Sequence, residues 1–333
     1  MSKLRFFLLL FLAFSAGCTQ SKRELPTELD NVPAQLNHSS GLENSNRHGR
    51  GALLLTSFKS FEELKSAVQI EYSGDTSRSN FVFWKKPQVR AIHISSGREV
   101  TTLLKSGIHQ GDFLTAKAGN FWDHVWLGLR SPYTLIHREE IVSIEILGRR
   151  RNTMFGEGDV AFYDIAEAMV YHISDDDLMY MPPEDLTEKG YLNTFNHLTA
   201  QALMTSIFSE RLADFISDVH ERYHIPEMIT GVYAEDQIAD LEDGPLDNFI
   251  DMLNNEWGQE LGKLLSKKYS INRDTYWTPE LLADYLNDVQ SYNSWAFQIK
   301  LNPFRSTDDI IIRYSHKINQ VVHNFSELTR NYY

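Results

Sequence analysis

Three short segments in the second half of the chain carry residue types that move protons or bind cations. They are Asn193-Thr-Phe-Asn-His197, Asp218-Val-His220-Glu221 and Asp251-Met-Leu-Asn254-Asn255-Glu-Trp-Gly258. Imidazole and carboxylate groups brought into one cavity can bind a divalent metal or serve as general base and acid. His197, His220, Glu221 and Asp251 are therefore the candidate catalytic residues, and His197, His220 and Asp251 the candidate metal ligands. Asn193, Asn254, Asn255 and Gly258 are candidate binding positions. The chain has one cysteine, Cys18. Without a thiolate nearby, the ligand set is imidazole, carboxylate and amide oxygen, which suits zinc or a harder cation.

Spacing indicates how these groups must be carried. On a helix, Asp247, Asp251, Asn254, Asn255 and Gly258 fall at steps of three and four and form one polar stripe. Phe249, Ile250, Leu253 and Trp257 form an apolar stripe on another face. Two adjacent asparagines oppose helix propensity, and Gly258 costs about 1 kcal/mol against alanine. A sequence bears this when the amides bond something or a neighbour approaches closely; a solvated face with tolerated residues is the alternative. His197 shares a face with Met204 and Phe208 and so points partly inward, where a satisfied core histidine is the ordinary outcome. His220 and Glu221 are adjacent and cannot face each other on a helix, so Glu221 needs another partner. A straight helix from 197 to 220 would hold the two histidines about 34 Å apart. Ser206 and Ser209, before Glu210, can cap a new helix. The sequence thus predicts a break near Ser209 that folds His220 back toward His197 and the Asp251 stripe.

The order N-x-x-x-H, H-E, D-x-x-N-N-x-x-G over roughly residues 190–265 resembles an uncharacterised bacterial helical family, a domain of unknown function seen in exported and toxin-like proteins. Asn193, His197, His220, Glu221, Asp251, Asn254, Asn255 and Gly258 carry the resemblance. That family tends to place Arg directly before the first histidine, where this chain has Asn196, which weakens an anion-binding role there. The resemblance implies a shared site and no particular reaction. A second pattern, Gly111-Asp112, Trp122-Asp123-His124-Val125, Gly128 and Ile144-Glu145, is similar to the circularly permuted papain-like group related to NlpC/P60 cell-wall enzymes, over residues 108–150. It implies strands carrying His124 as base and Glu145 as its orienter. That group needs a cysteine thiolate, which this chain cannot supply, so the likeness implies a binding remnant. A plain β-domain is the alternative.

The elements read as α+β, with an N-terminal mainly β domain at 50–155 followed by an all-α helical bundle domain at 156–333. In the first, residues 51–56, 80–84, 89–94, 113–116, 124–129 and 141–147 are short apolar runs rich in β-branched and aromatic residues. Residues 60–68 have helical spacing. In the second, 159–172, 194–223, 246–268, 279–299 and 307–328 have apolar residues every three or four positions. Thr278 is an N-cap residue type, with Pro279 at the first helical position, and Pro182-Pro183 mark a break.

The first seventeen residues have a basic start (Lys3, Arg5), an apolar run too short to span a bilayer and small residues at the end, which marks an export signal. Ser15-Ala-Gly-Cys18 resembles the lipobox of bacterial lipoproteins, although Leu is usual where Ser15 stands. The resemblance implies lipidation of Cys18 and anchoring in the cell envelope, at the outer membrane in a diderm cell. Ordinary cleavage between small residues is the alternative. Residues 18–49 are polar and poor in apolar groups, as a tether is. The formal net charge is −13, and the acidity lies in residues 156–333, which argues against nucleic acid as a partner. Two functions follow as expectations. One is a metal-dependent hydrolase of an envelope component. The other is a non-catalytic lipoprotein that binds a wall fragment or a protein partner.

Overall fold

Helices dominate the chain, and the sheet beside them is small. The computed structural model describes residues 51–73, 87–95, 97–225, 228, 239–240 and 244–329. The expected export signal, Cys18 and the tether lie outside the described residues, as does the expected strand 80–84. In chain order, the first part holds α1 (Phe61–Ala67), β1 (Gln69–Ser73), β2 (Gln88–Ser95) and β3 (Arg98–Lys105). Then come α2 (Gln110–Ala118), α3 (Phe121–Arg130), α4 (Pro132–Ile136), α5 (Arg138–Leu147) and α6 (Asn152–Phe155). The remainder holds α7 (Phe162–Tyr171), α8 (Asp175–Leu178), α9 (Tyr191–Ile207), α10 (Glu210–His224), α11 (Pro245–Lys268), α12 (Pro279–Phe297), α13 (Asp309–His323) and α14 (Phe325–Thr329).

The sheet is antiparallel in the order β1-β2-β3, with Val89 opposite both Tyr72 and Leu104. Its buried residues Val89, Ala91 and Leu104 pack with Leu53, Phe61 and Leu64 against Phe249, Ile250 and Leu253 of α11. The apolar stripe read from the α11 sequence is therefore the floor of the sheet. A larger core joins α5, α7, α9, α12 and α13 around Ile165, Phe195, Leu203, Tyr285, Tyr314 and Ile318. The change in charge near residue 155 does not coincide with a break in packing, because residues on both sides of it share these cores.

Three expected strands are corrected. Residues 113–116, 124–129 and 141–147 lie in α2, α3 and α5. Short apolar runs fit either state by pattern alone, and the residues before two of them decide the matter. His109 accepts from Gly111 N while Asp112 accepts from His109 N; Asn120 accepts from Trp122 N while Asp123 accepts from Asn120 N. Each reciprocal pair satisfies donors that a helix start would leave bare. Residues 52–54 are extended but join no sheet, and Leu55–Ser57 form a 3-10 turn. The break expected near Ser209 is present: α9 ends at Ile207, and Ser209 Oγ accepts from Leu212 N at 3.2 Å to start α10. Thr278 caps α12 with Pro279 in its first turn.

Candidate metal centre

The centre is built on the contact between α9 and α11, whose axes approach closely because α11 presents glycine twice, one turn apart. A Cβ on Gly258 would lie 2.7 Å from the Leu198 carbonyl oxygen, and one on Gly262 would lie 2.6 Å from that of Ala202. Neither distance is sterically allowed, so both positions require glycine at this separation. Gly258, expected as a binding position, is thus a packing residue. It holds the preceding turns of the two helices near enough for their polar side chains to meet.

Four of those side chains, with Glu221 of α10, then form a chain of bonds. His197 Nε2 lies 3.2 Å from Asp251 Oδ2. His197 Nδ1 donates to Asn255 Oδ1 at 2.8 Å. The Asn255 amide nitrogen donates to Glu221 Oε1 at 3.0 Å. Asn193 Nδ2 donates to Asp251 Oδ1 at 2.9 Å. Each amide is oriented by what it bonds: Asn255 must turn its oxygen to the imidazole and its nitrogen to the carboxyl. One ligand atom each from His197, Glu221 and Asp251 lies within 4.8 Å of the others, and this group can hold a metal ion. His197 Nε2 and Asp251 Oδ2, which pair with each other here, and the Glu221 carboxyl are the ligand-type groups that face one another. Asn255 and Asn193 occupy the supporting positions that fix a ligand's orientation in metal sites.

Burial sets the charges. Glu221 and Asp251 are buried, and His197 is nearly so. Burial alone would lower the His197 pKa, but the Asp251 carboxylate, its hydrogen bond and the charge of Glu221 outweigh it and raise the imidazole to about 10. Burial, and then the neighbouring Asp251 charge, push the Glu221 carboxyl well above the ordinary carboxylate range. Without a cation, the Asp251 charge favours the imidazolium of His197, and burial favours the protonated form of Glu221.

Several expected site residues are placed elsewhere. His220 was expected among the metal ligands, but it lies on the exposed side of α10, where its Nδ1 meets Gln110 Oε1 at 2.8 Å. Its pKa falls to about 4, first through desolvation and then through the positive charge of His197 and His224. Glu221, one residue on, takes the inward position. A signal for this was available: Ala213, Ser217 and Glu221 form a buried stripe at steps of four along α10. Asn254, expected to bind a ligand, is fully buried and spends its amide on the Leu53 peptide. Its oxygen accepts from Leu53 N and its nitrogen donates to Leu53 O, both at 2.9 Å. Thr194 adds a bond to the same carbonyl at 2.8 Å. His124 is exposed on α3, and Glu145 on α5 is held by Lys117 and Arg151 at 3.3 and 2.9 Å. The strands that would align those two as base and orienter are helices.

Two surface clefts, one lined by Arg150, Asp164 and Asp309 and the other by His137, Phe208 and Arg273, include no residue of the centre. Among the described residues no helix is long and apolar enough to cross a membrane. Comparison with protein-family models, characterised proteins and solved structures returns no match.

Proposed function

We propose that this is an exported, lipid-anchored envelope protein whose helical layer holds one divalent cation, zinc or a similar ion, and uses it to hydrolyse an envelope component. The observation that carries the reading is the convergence of His197, Glu221 and Asp251 from three helices to within 4.8 Å, with bridging amides that fix their orientation. A merely structural polar cluster would end on backbone groups, as Asn254 does. Here the three ligand-type edges face one another instead.

The residues have separable tasks. Asn255 Oδ1 takes the Nδ1 proton and so leaves the Nε2 lone pair of His197 as the coordinating one. Asn193 turns Asp251 so that Oδ2 faces the imidazole. Glu221, as the third ligand, would coordinate as the carboxylate and so release on binding the proton that its burial favours in the metal-free protein. A bound divalent cation would add Lewis acidity and would acidify a coordinated water. Three protein ligands leave coordination positions open, as catalytic sites do.

The test is the metal content of the purified full chain beside His197→Ala, Asp251→Asn, Glu221→Gln and His220→Ala. One equivalent is expected in the parent and in His220→Ala, with substantial loss in the other three. Metal-dependent release of fragments from purified envelope material, abolished by a chelator and by Asp251→Asn, would carry the hydrolytic half. Equal metal content in all five proteins would end the proposal. The alternative, a non-catalytic lipoprotein that binds a wall fragment or a protein partner, is favoured by the two clefts, since neither reaches the triad. Metal content that follows the triad without fragment release would support that reading.

A further inference from the structure

Among the described residues, several exposed apolar side chains gather on α3 and α4, away from any residue of the metal centre in sequence and in bonding. Trp122, Trp126 and Leu129 recur at steps of four and three on one face of α3 and are 73%, 62% and 67% exposed. Phe121 beside them is 69% exposed, and Leu135 and Ile136 on α4 are 58% and 61% exposed. The two helices are joined closely: a Cβ on Gly128 of α3 would lie 2.6 Å from Leu135 Cδ1. Leu135 therefore packs against α3 while it and Ile136 stay exposed beside that helix. The patch is not loose, because Leu127 on the opposite side of α3 packs with Ile108, Ala116 and Val219. Single exposed apolar side chains are ordinary, whereas a cluster on a rigid support marks an interaction surface.

We infer that the α3–α4 face is a membrane-interface surface, on which the anchored protein lies against the lipid headgroup and acyl boundary. The inference rests on the lipid-anchor reading for its occupant. Thirty-two residues separate Cys18 from Gly51, where the described chain begins. A lipid on Cys18, joined through that segment, would make contact with the bilayer intramolecular, which favours engagement by a patch of modest intrinsic affinity. The chemistry of the face fits. Tryptophan, with an apolar ring and one N–H donor, is the residue that settles at the boundary between headgroups and acyl chains. A helix with Trp, Phe and Leu on one side lies in that plane. The charges around the patch are mixed: Arg130 and Arg138 accompany Asp123, Glu139 and Glu140. Attachment through apolar insertion is therefore expected to depend little on salt.

The test uses the chain from Cys18 onward with Cys18→Ser, so that no lipid is present, and vesicles of phosphatidylethanolamine and phosphatidylglycerol. The parent is expected to co-sediment with vesicles at low and high salt and to show tryptophan quenching by brominated lipid. The Trp122→Ser/Trp126→Ser variant, altered only at exposed positions, is expected to partition at least about tenfold more weakly with an unchanged far-ultraviolet spectrum. Absence of vesicle binding by the parent, or equal binding by the variant, would overturn the inference. Self-association of the parent that the variant loses, without vesicle binding, would overturn it by assigning the face to a second copy. The mass of the mature protein from cells tests lipid on Cys18 separately. Vesicle binding without that lipid would remove the anchor and keep the face.

Discussion

Glu221→Gln separates the stability of the centre from its capacity for metal, because the two respond with opposite signs. The substitution keeps the shape of the side chain and an acceptor for the Asn255 amide at the 3.0 Å bond, but removes the ionisable group. In the metal-free protein, burial and the Asp251 charge raise the Glu221 pKa well above 4.5. For an acid whose folded pKa is raised, stability is fully present below the unfolded value. It is lost as pH climbs through the folded one, because the unfolded chain ionises first. Glutamine has no such loss, so the metal-free variant is expected to melt above the parent at alkaline pH. With metal the order reverses. A cation present at 100 times its Kd stabilises the parent by about 2.7 kcal/mol, and a 100-fold loss of affinity leaves about 0.4 kcal/mol. At roughly 2–4 °C per kcal/mol for a fold of this size, a metal-induced rise in Tm of about 5–10 °C would shrink to about 1 °C. Differential scanning fluorimetry with a chelator and with added zinc, across neutral and alkaline pH, reads both arms. A variant that retains the full metal-induced shift would refute Glu221 as a ligand. One that melts below the parent in chelator at alkaline pH would refute the account of its burial.

Four further expectations follow from the structure. His197, raised to about 10, must lose its Nε2 proton on binding metal. Metal affinity should therefore rise at least about tenfold per pH unit from neutral toward 10, more steeply wherever Glu221 must also lose a proton, with at least one proton released per ion in calorimetry across buffers of different ionisation enthalpy. The same raised imidazole stabilises the metal-free fold fully below pH 6.5 and loses that contribution as pH rises through about 10. Asp251→Asn, which removes its partner, should cost about 3–5 kcal/mol at neutral pH, a deficit in urea titrations that narrows above pH 10. Asn254→Ala leaves the buried Leu53 N–H without its partner and the carbonyl with Thr194 alone, and should cost about 1–3 kcal/mol in the same titrations, with metal stoichiometry unchanged. Glu256 is raised to about 8, first by burial and then by Asp214. Its fold-stabilising effect is present below 4.5 and lost up to 8, so Glu256→Gln should be the more stable protein by up to about 5 kcal/mol at mildly alkaline pH and equal to the parent in acid.

What could be read from the sequence was whatever a periodic pattern and a single local rule jointly determine. The α9–α10 break was legible because a straight helix would have carried its histidines too far apart and Ser209 offered a cap. The inward set was legible only in part. Asp251, Asn255, Asn193 and His197 could be assigned to facing stripes, but their partners depended on an interhelical distance that Gly258 and Gly262 set, and no pattern within one helix encodes the neighbour it meets. Asn254 illustrates the limit: it is adjacent to Asn255 and chemically identical, yet about 100° of helical rotation turns its amide to the Leu53 backbone and its neighbour's to the centre. The choice between His220 and Glu221 turned on the same rotation, and the buried Ala213–Ser217–Glu221 stripe decides it. Residues 110–147 failed for a different reason. Their apolar runs are too short to show a period, and on α3 much of the apolar surface faces outward, so the usual inference that apolar side chains point to the core had no purchase. The capping pairs His109/Asp112 and Asn120/Asp123 were the local evidence of helix. Weighted against β-branched content, they would have converted a β-domain into the helical surface that presents Trp122 and Trp126.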